Sequence, residues 1–105
     1  MALATASRRY SRLKPPKGLS VAWQSTTRRS VSYVDTLGLG GLFIRIKEPP
    51  AVGTFMQLLI DIPGGARARA IVRNIKPDEG MGVGIVSMGQ EDRQRLRTFL
   101  SQLPY

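Results

Sequence analysis

The residues best suited to chemistry in this chain are three guanidinium groups, Arg8, Arg9 and Arg12, with the ring of Tyr10 among them. A planar, permanently charged fork of donors fits a phosphate or the acceptor edge of guanine, and a tyrosine face can stack on a base. Beginning 24 residues after Arg12 runs Thr36-Leu37-Gly38-Leu39-Gly40-Gly41, a glycine-rich turn leading into the apolar strand Leu42-Phe43-Ile44, with Asp35 just before it. Such a turn lets a ligand approach the backbone closely. No lysine and no helix follow it, so it is not a P-loop. Other chemistries lack their residues. The chain has no cysteine and no histidine, and its seven acids are scattered, which leaves no thiolate or imidazole metal site and no nucleophile with its base. An enzyme and a bound metal are therefore not expected.

The charge points the same way as the guanidinium groups. Sixteen Lys and Arg against seven Asp and Glu give +9, and Arg8, Arg9, Arg12, Lys14, Lys17, Arg28 and Arg29 all precede the first acid, Asp35. Such an arm attracts phosphate on a nucleotide, a nucleic acid or a lipid surface, and charge alone does not choose among them. The opening residues, Met1 to Ser7, are too weakly apolar for a signal peptide. No run approaches the ~20 apolar residues of a membrane span, so no membrane insertion is expected, and a reducing cytoplasm is the expected location.

The elements that must position these residues follow from periodicity. Residues 1–17 read as a flexible basic arm ending in Lys14-Pro15-Pro16-Lys17, a connector that cannot continue a helix. Residues 18–105 read as one domain, a length that suits a single core. Leu19, Val21 and Trp23 alternate with polar or small neighbours, and Trp23 is expected in the core. Further strands are expected over Val31 to Asp35, Leu42 to Lys47, Thr54 to Ile62, Ala66 to Ile75 and Met81 to Met88, separated by turns rich in proline and glycine. Ala68 and Ala70 alternate with Arg67 and Arg69 on the fifth strand. Small inward residues beside a bulky neighbouring strand suit a tightly closed barrel, with Arg67, Arg69 and Arg73 on its solvated face. In the tail, Leu96, Phe99, Leu100 and Leu103 fall at i, i+3, i+4 and i+7, which predicts a helix over 90–103 with Glu91 and Asp92 in its first turn. The expected fold is all-β with one C-terminal helix: a six-stranded antiparallel barrel.

The order of these features resembles the PilZ domain, a family of bacterial modules whose complete members bind the second messenger cyclic di-GMP. The resemblance rests on the Arg8-x-x-x-Arg12 arm, the Gly40-Gly41 turn between the second and third strands, and Ile71-Val72-Arg73 on the fifth strand. It rests also on Gly80-Met81-Gly82-Val83 on the sixth strand and Asp92 to Leu96 on the helix, so it covers residues 8 to 103. It implies a PilZ-like barrel of split-barrel type, no cofactor, cyclic di-GMP as ligand and a protein partner not yet identified. Arg8 and Arg12 match the family's two arginines, and Arg9 its adjacent basic residue. Of the family's Asp-x-Ser-x-x-Gly motif, Gly41 matches the glycine, whereas Thr36 stands at the Asp position and Gly38 at the Ser position. Losing one charge-assisted and one neutral hydrogen bond costs about 2 to 4 kcal/mol, which weakens binding by about 30 to 1,000-fold. A second register sets Asp35 and Gly40 at the Asp and Gly positions with Leu37 in place of Ser; it requires a β-bulge at the strand end, which Gly38 and Gly40 would permit. Tyr10 and Arg73 are candidate additional contacts.

Three functions compete. In the first, the domain is a cyclic di-GMP-responsive adaptor whose arm orders on the nucleotide and which signals through protein contacts. In the second, it is a degenerate PilZ domain that binds no nucleotide and acts by protein contact alone. In the third, a small basic barrel binds nucleic acid with Trp23, Tyr10 or Tyr33 as stacking platforms. The last is disfavoured because aromatic residues are only 7% of the chain and do not recur on one strand face. The complete arginine arm favours the first over the second.

Overall fold

A computed structural model describes residues 12–103 of the chain. It contains β1 (Ser20–Gln24), β2 (Arg29–Leu37), β3 (Gly41–Arg45), β4 (Phe55–Ile60), β5 (Ala66–Lys76), β6 (Gly80–Met88) and α1 (Gln90–Ser101). The strands close into an antiparallel barrel in the order β1-β2-β3-β6-β5-β4. Every wall strand is thus paired on both sides, and the expected architecture of six strands and a closing helix is the one observed.

Period two explains the interior. Val21 and Trp23 of β1, Leu42 and Ile44 of β3, Met56, Leu58 and Ile60 of β4, and Met81 and Val83 of β6 all point inward and are buried. The alanines of β5 sit opposite the longest of these, with Ala70 paired to Met56, Ala68 to Leu58 and Ala66 to Ile60. A small residue facing each long one lets two neighbouring strands fill a narrow barrel without overpacking. No polar or charged residue among those described is buried in this core. Trp23 lies in it, as expected, and its indole N–H donates to Ser32 Oγ at 3.0 Å. The Arg28 guanidinium closes that end of the barrel, 5.3 Å from the centre of the Trp23 ring, while donating to the Glu48 carbonyl at 2.8 Å.

Some boundaries differ from the sequence expectation. β2 begins at Arg29 and runs to Leu37, because its polar first residues pair with Gln24 and Trp23 although they carry no apolar signal. β3 stops at Arg45, one turn before the prolines, and α1 ends at Ser101 with Leu103 buried just beyond it.

The helix is tied to the barrel through Asp92. Its Oδ1 accepts from the Arg67 backbone amide at 2.9 Å and from Arg95 Nη2 at 3.0 Å, and Arg95 Nε donates to the Gly65 carbonyl at 2.7 Å. The Arg67 amide, and then the Arg95 guanidinium, hold the Asp92 carboxyl below its ordinary value of 3.8. A carboxyl depressed in the folded state stabilises the fold above its unfolded pKa, and that contribution disappears as pH falls through the depressed value. Asp92→Asn is therefore expected to lower stability by about 1 kcal/mol at neutral pH. In urea titrations the deficit should vanish in acid well below 3.8, where the wild-type carboxyl is also neutral.

Candidate functional site

The chain enters the barrel by pairing with it. Leu13 forms an antiparallel bridge with Leu37, its amide donating to the Leu37 carbonyl at 2.7 Å and its carbonyl accepting from the Leu37 amide at 2.9 Å. This bridge occupies the edge of β2 that β1 leaves unpaired beyond Tyr33. Neighbouring side chains on an extended segment project to opposite sides, so fixing Leu13 also sets where Arg12 and Lys14 begin.

Arg12 reaches the glycine turn. A β-carbon added at Gly41 would lie 3.1 Å from Arg12 Nη2, 3.3 Å from the Gly84 α-carbon and against the Val83 carbonyl oxygen. Gly41 is therefore glycine for lack of space. Among the described residues the glycines in the left-handed region are Gly18, Gly53, Gly64 and Gly65, none of them in this turn. The turn closes with the Gly38 amide donating to the Gly41 carbonyl at 2.9 Å, and the Gly40 carbonyl accepts from the Ile85 amide at 2.9 Å.

Gly41 pairs directly with Gly84 of β6. Over Gly84 lies the side chain of Arg73, whose Nε and Cδ would collide with any β-carbon there. Arg12 and Arg73, from opposite sides, thus lie over one two-glycine step of the barrel wall. A β-bulge makes this possible. The β5–β6 register shifts between Val72 and Asn74, so Arg73 and Asn74 both project outward, Arg73 onto Gly84 and Asn74 onto Gly82. Arg73 shares the exposed outer face of Arg67 and Arg69, as expected, and leans across onto β6. Phe43 covers Gly80, the next outward glycine of β6, with its Cε2 2.7 Å from where a β-carbon would be, and Lys76 Nζ lies 5.7 Å from the Phe43 ring centre.

A second bulge shapes the acidic side. The β2–β3 register shifts between Val34 and Thr36, leaving Asp35 and Thr36 half-exposed between inward Val34 and Leu37. Thr36 pairs with Phe43. Asp35 lies 3.7 Å from Lys14 Nζ and 3.6 Å from Arg45 Nη1. Both cations are well exposed, and such pairs contribute less than about 1 kcal/mol each. The carboxylate can therefore exchange them for a stronger donor at little cost.

The expected site residues within the described chain fall together on one outer wall. Arg12 lies over Gly41, Arg73 lies over Gly84, which pairs with Gly41, and Asp35, Thr36, Gly38 and Gly40 lie at the end of β2 and in the turn beside them. Arg8, Arg9 and Tyr10 lie outside the described residues. Sequence reasoning missed Leu13, Gly84 and Asn74, and gave Gly82 only as part of a strand motif. The signals were an apolar residue within a basic arm, and glycines at alternate positions of β6 whose inward neighbours, Met81 and Val83, are large.

Chemically, the wall offers permanent cations above a surface free of side chains, with a carboxylate and a hydroxyl at its rim. This suits a flat, anionic ligand that also carries N–H donors. The family model of the PilZ domain matches residues 6–102. No curated protein matches the chain. Among solved structures it is similar to the Bacillus subtilis inhibitor of motility MotI/DgrA, with 21% identity and a TM-score of 0.70 over 90% of this chain. The chain spans 50% of the length of that protein.

Proposed function

Since the chain belongs to the PilZ domain family, we propose that it is a receptor for cyclic di-GMP that closes its arginine arm on the nucleotide and passes the signal on by protein contact. The observation that carries this reading is the meeting of Arg12 and Arg73 over the Gly41–Gly84 step. Two guanidinium groups there face a phosphate or a guanine edge, and the absence of side chains beneath them lets a flat ring lie close to the backbone. Asp35 serves as the acceptor for the guanine N–H edge, because it lies on the outer face beside inward Val34 and its present partners are weakly held. Arg8 and Arg9 complete the clamp, with Tyr10 as a stacking surface.

Isothermal titration calorimetry with cyclic di-GMP at low ionic strength tests this. The wild-type chain should release heat and saturate, with affinity falling as salt screens the arginines. Arg8→Ala/Arg12→Ala should weaken binding by a hundredfold or more, each lost charge-assisted contact costing about 1.5 to 3 kcal/mol. Absence of heat from the wild type, or equal affinity in the double variant, overturns the reading and leaves a domain that works by protein contact without nucleotide.

A further inference from the structure

The wall across the barrel from the glycine step carries a different surface. A groove of about 650 Å³ runs over the outer faces of β2, β1, β4 and β5 towards the start of α1. Cross-strand pairing arranges its outward side chains in two adjacent rows. Val31, Ala22 and Leu59 form one, since Ala22 pairs with both Val31 and Leu59, and Arg67 ends it beside Leu59. Arg29, Gln24, Gln57 and Arg69 form the other, a cation at each end. Val31 is 69% exposed and Leu59 42%, with Ala22 between them as a notch. The acid lining this groove is Asp92, and its Oδ1 is already engaged by the Arg67 amide and Arg95.

We propose that this groove docks an acidic amphipathic helix of a protein partner. The barrel is closed, so no free strand edge lies beneath the groove and an extended peptide cannot add to the sheet. Recognition must come from side chains, which is the mode of a helix lying in a groove. With strands ~4.8 Å apart, the aliphatic row spans about 10 Å, two turns of helix, and Arg29 and Arg69 stand about 14 Å apart. An apolar stripe at i, i+4 and i+7 fills the aliphatic row, and carboxylates on one flank meet Arg29, Arg67 and Arg69. The charge complementarity selects an acidic partner. The row is aliphatic and Trp23 faces the core, while the exposed rings of this wall, Tyr33 and Phe55, stand outside the groove and Phe55 packs with Arg69 at 5.7 Å, so the groove itself offers no run of stacking platforms for single-stranded nucleic acid. This inference is independent of nucleotide binding.

The test is display selection of helical peptides from a random library against the full chain, followed by NMR mapping of the winners on the isotope-labelled protein. Enriched peptides should combine acids with apolar residues at helical spacing and shift the amides of Ala22, Gln24, Val31, Gln57, Leu59 and Arg69. Arg29→Glu/Arg69→Glu and, separately, Leu59→Ser should each weaken them at least tenfold. The charge reversal Lys47→Glu/Arg97→Glu, placed elsewhere on the surface, should change affinity by less than threefold, and thermal melts should show all variants folded. The proposal is overturned if the two charge reversals act equally, if the shifts map to another wall, or if Leu59→Ser has no effect. It is overturned as well if sedimentation shows the groove buried between two copies of the chain, or if oligothymidylate displaces the peptides from the same amides.

Discussion

Thr36→Asp/Gly38→Ser is expected to tighten cyclic di-GMP binding by about 3 to 80-fold: the two departures from the family motif remove about 2 to 4 kcal/mol, of which Asp35 already returns about 1.4 kcal/mol in the wild type. Thr36 is half-exposed on the outer wall, opposite Phe43 and one position from the bulge at Asp35, so a carboxylate there faces the same side as Arg12 and Gly41. A carboxylate accepts two hydrogen bonds from the guanine N1–H and N2–H edge, where a threonine hydroxyl offers one neutral bond at most. Calorimetry on the double variant measures the gain. The companion variant Asp35→Asn separates the two registers of the motif. In the wild type it should weaken binding about tenfold or more, because Asp35 then supplies the only charged acceptor for the guanine edge. In the Thr36→Asp/Gly38→Ser background its effect should be small. A tightening of less than threefold in the restored variant, with Asp35→Asn also silent, would mean that no guanine edge sits at this end of β2.

The second large effect is structural. Gly41→Ala should lower stability by about 1 to 3 kcal/mol, the range for forcing an atom into a packed site. The added carbon meets the Val83 carbonyl oxygen, which belongs to the backbone of the paired strand and cannot swing aside as a side chain can. For a domain of this size that corresponds to a fall in melting temperature of roughly 4 to 8 °C per kcal/mol. Gly84→Ala provides the contrast, because its added carbon meets the Arg73 side chain instead. Its stability loss should be smaller, while its nucleotide affinity should fall because Arg73 is pushed off the wall. Thermal melts and titrations of the two variants side by side distinguish a glycine needed for strand packing from one needed to seat a guanidinium group. Equal melting temperatures for Gly41→Ala and the wild type would contradict the close approach of β3 to β6.

Much of this was legible in the chain. Period-two alternation located all six strands, the β5 alanines announced a narrow barrel, and the helical stripe through Leu96 and Leu100 marked the closing element. What alternation hid were the bulges at Asp35-Thr36 in β2 and at Arg73-Asn74 in β5. Each inserts one residue into a strand and so moves a polar side chain to a face that strict alternation denies it. In β2 the trace is Val34 and Leu37, two inward residues three apart, with Asp35 and Thr36 both turned outward between them. In β5 the run Val72-Arg73-Asn74 does the same for Asn74, which joins Arg73 on the outer face. The glycine turn was found for its composition, but its reason lies in distant residues: Val83, Gly84 and Arg12 crowd Gly41, and only the closed barrel brings them there. The docking of the arm through Leu13 was likewise beyond a local reading, since its partner, Leu37, becomes available only because β1 stops pairing with β2 at Tyr33.

The most direct test of the receptor reading is an NMR titration of the wild-type chain with excess cyclic di-GMP, following the Arg12 and Arg73 side-chain Nε–H signals and the amides of Gly38, Gly40, Gly41 and Gly84. Closure of the arm on the nucleotide predicts that all of these move together and saturate, while amides of the β1–β4 wall stay in place. Signals at both arginines and throughout the glycine step that remain unmoved at saturating nucleotide would contradict it.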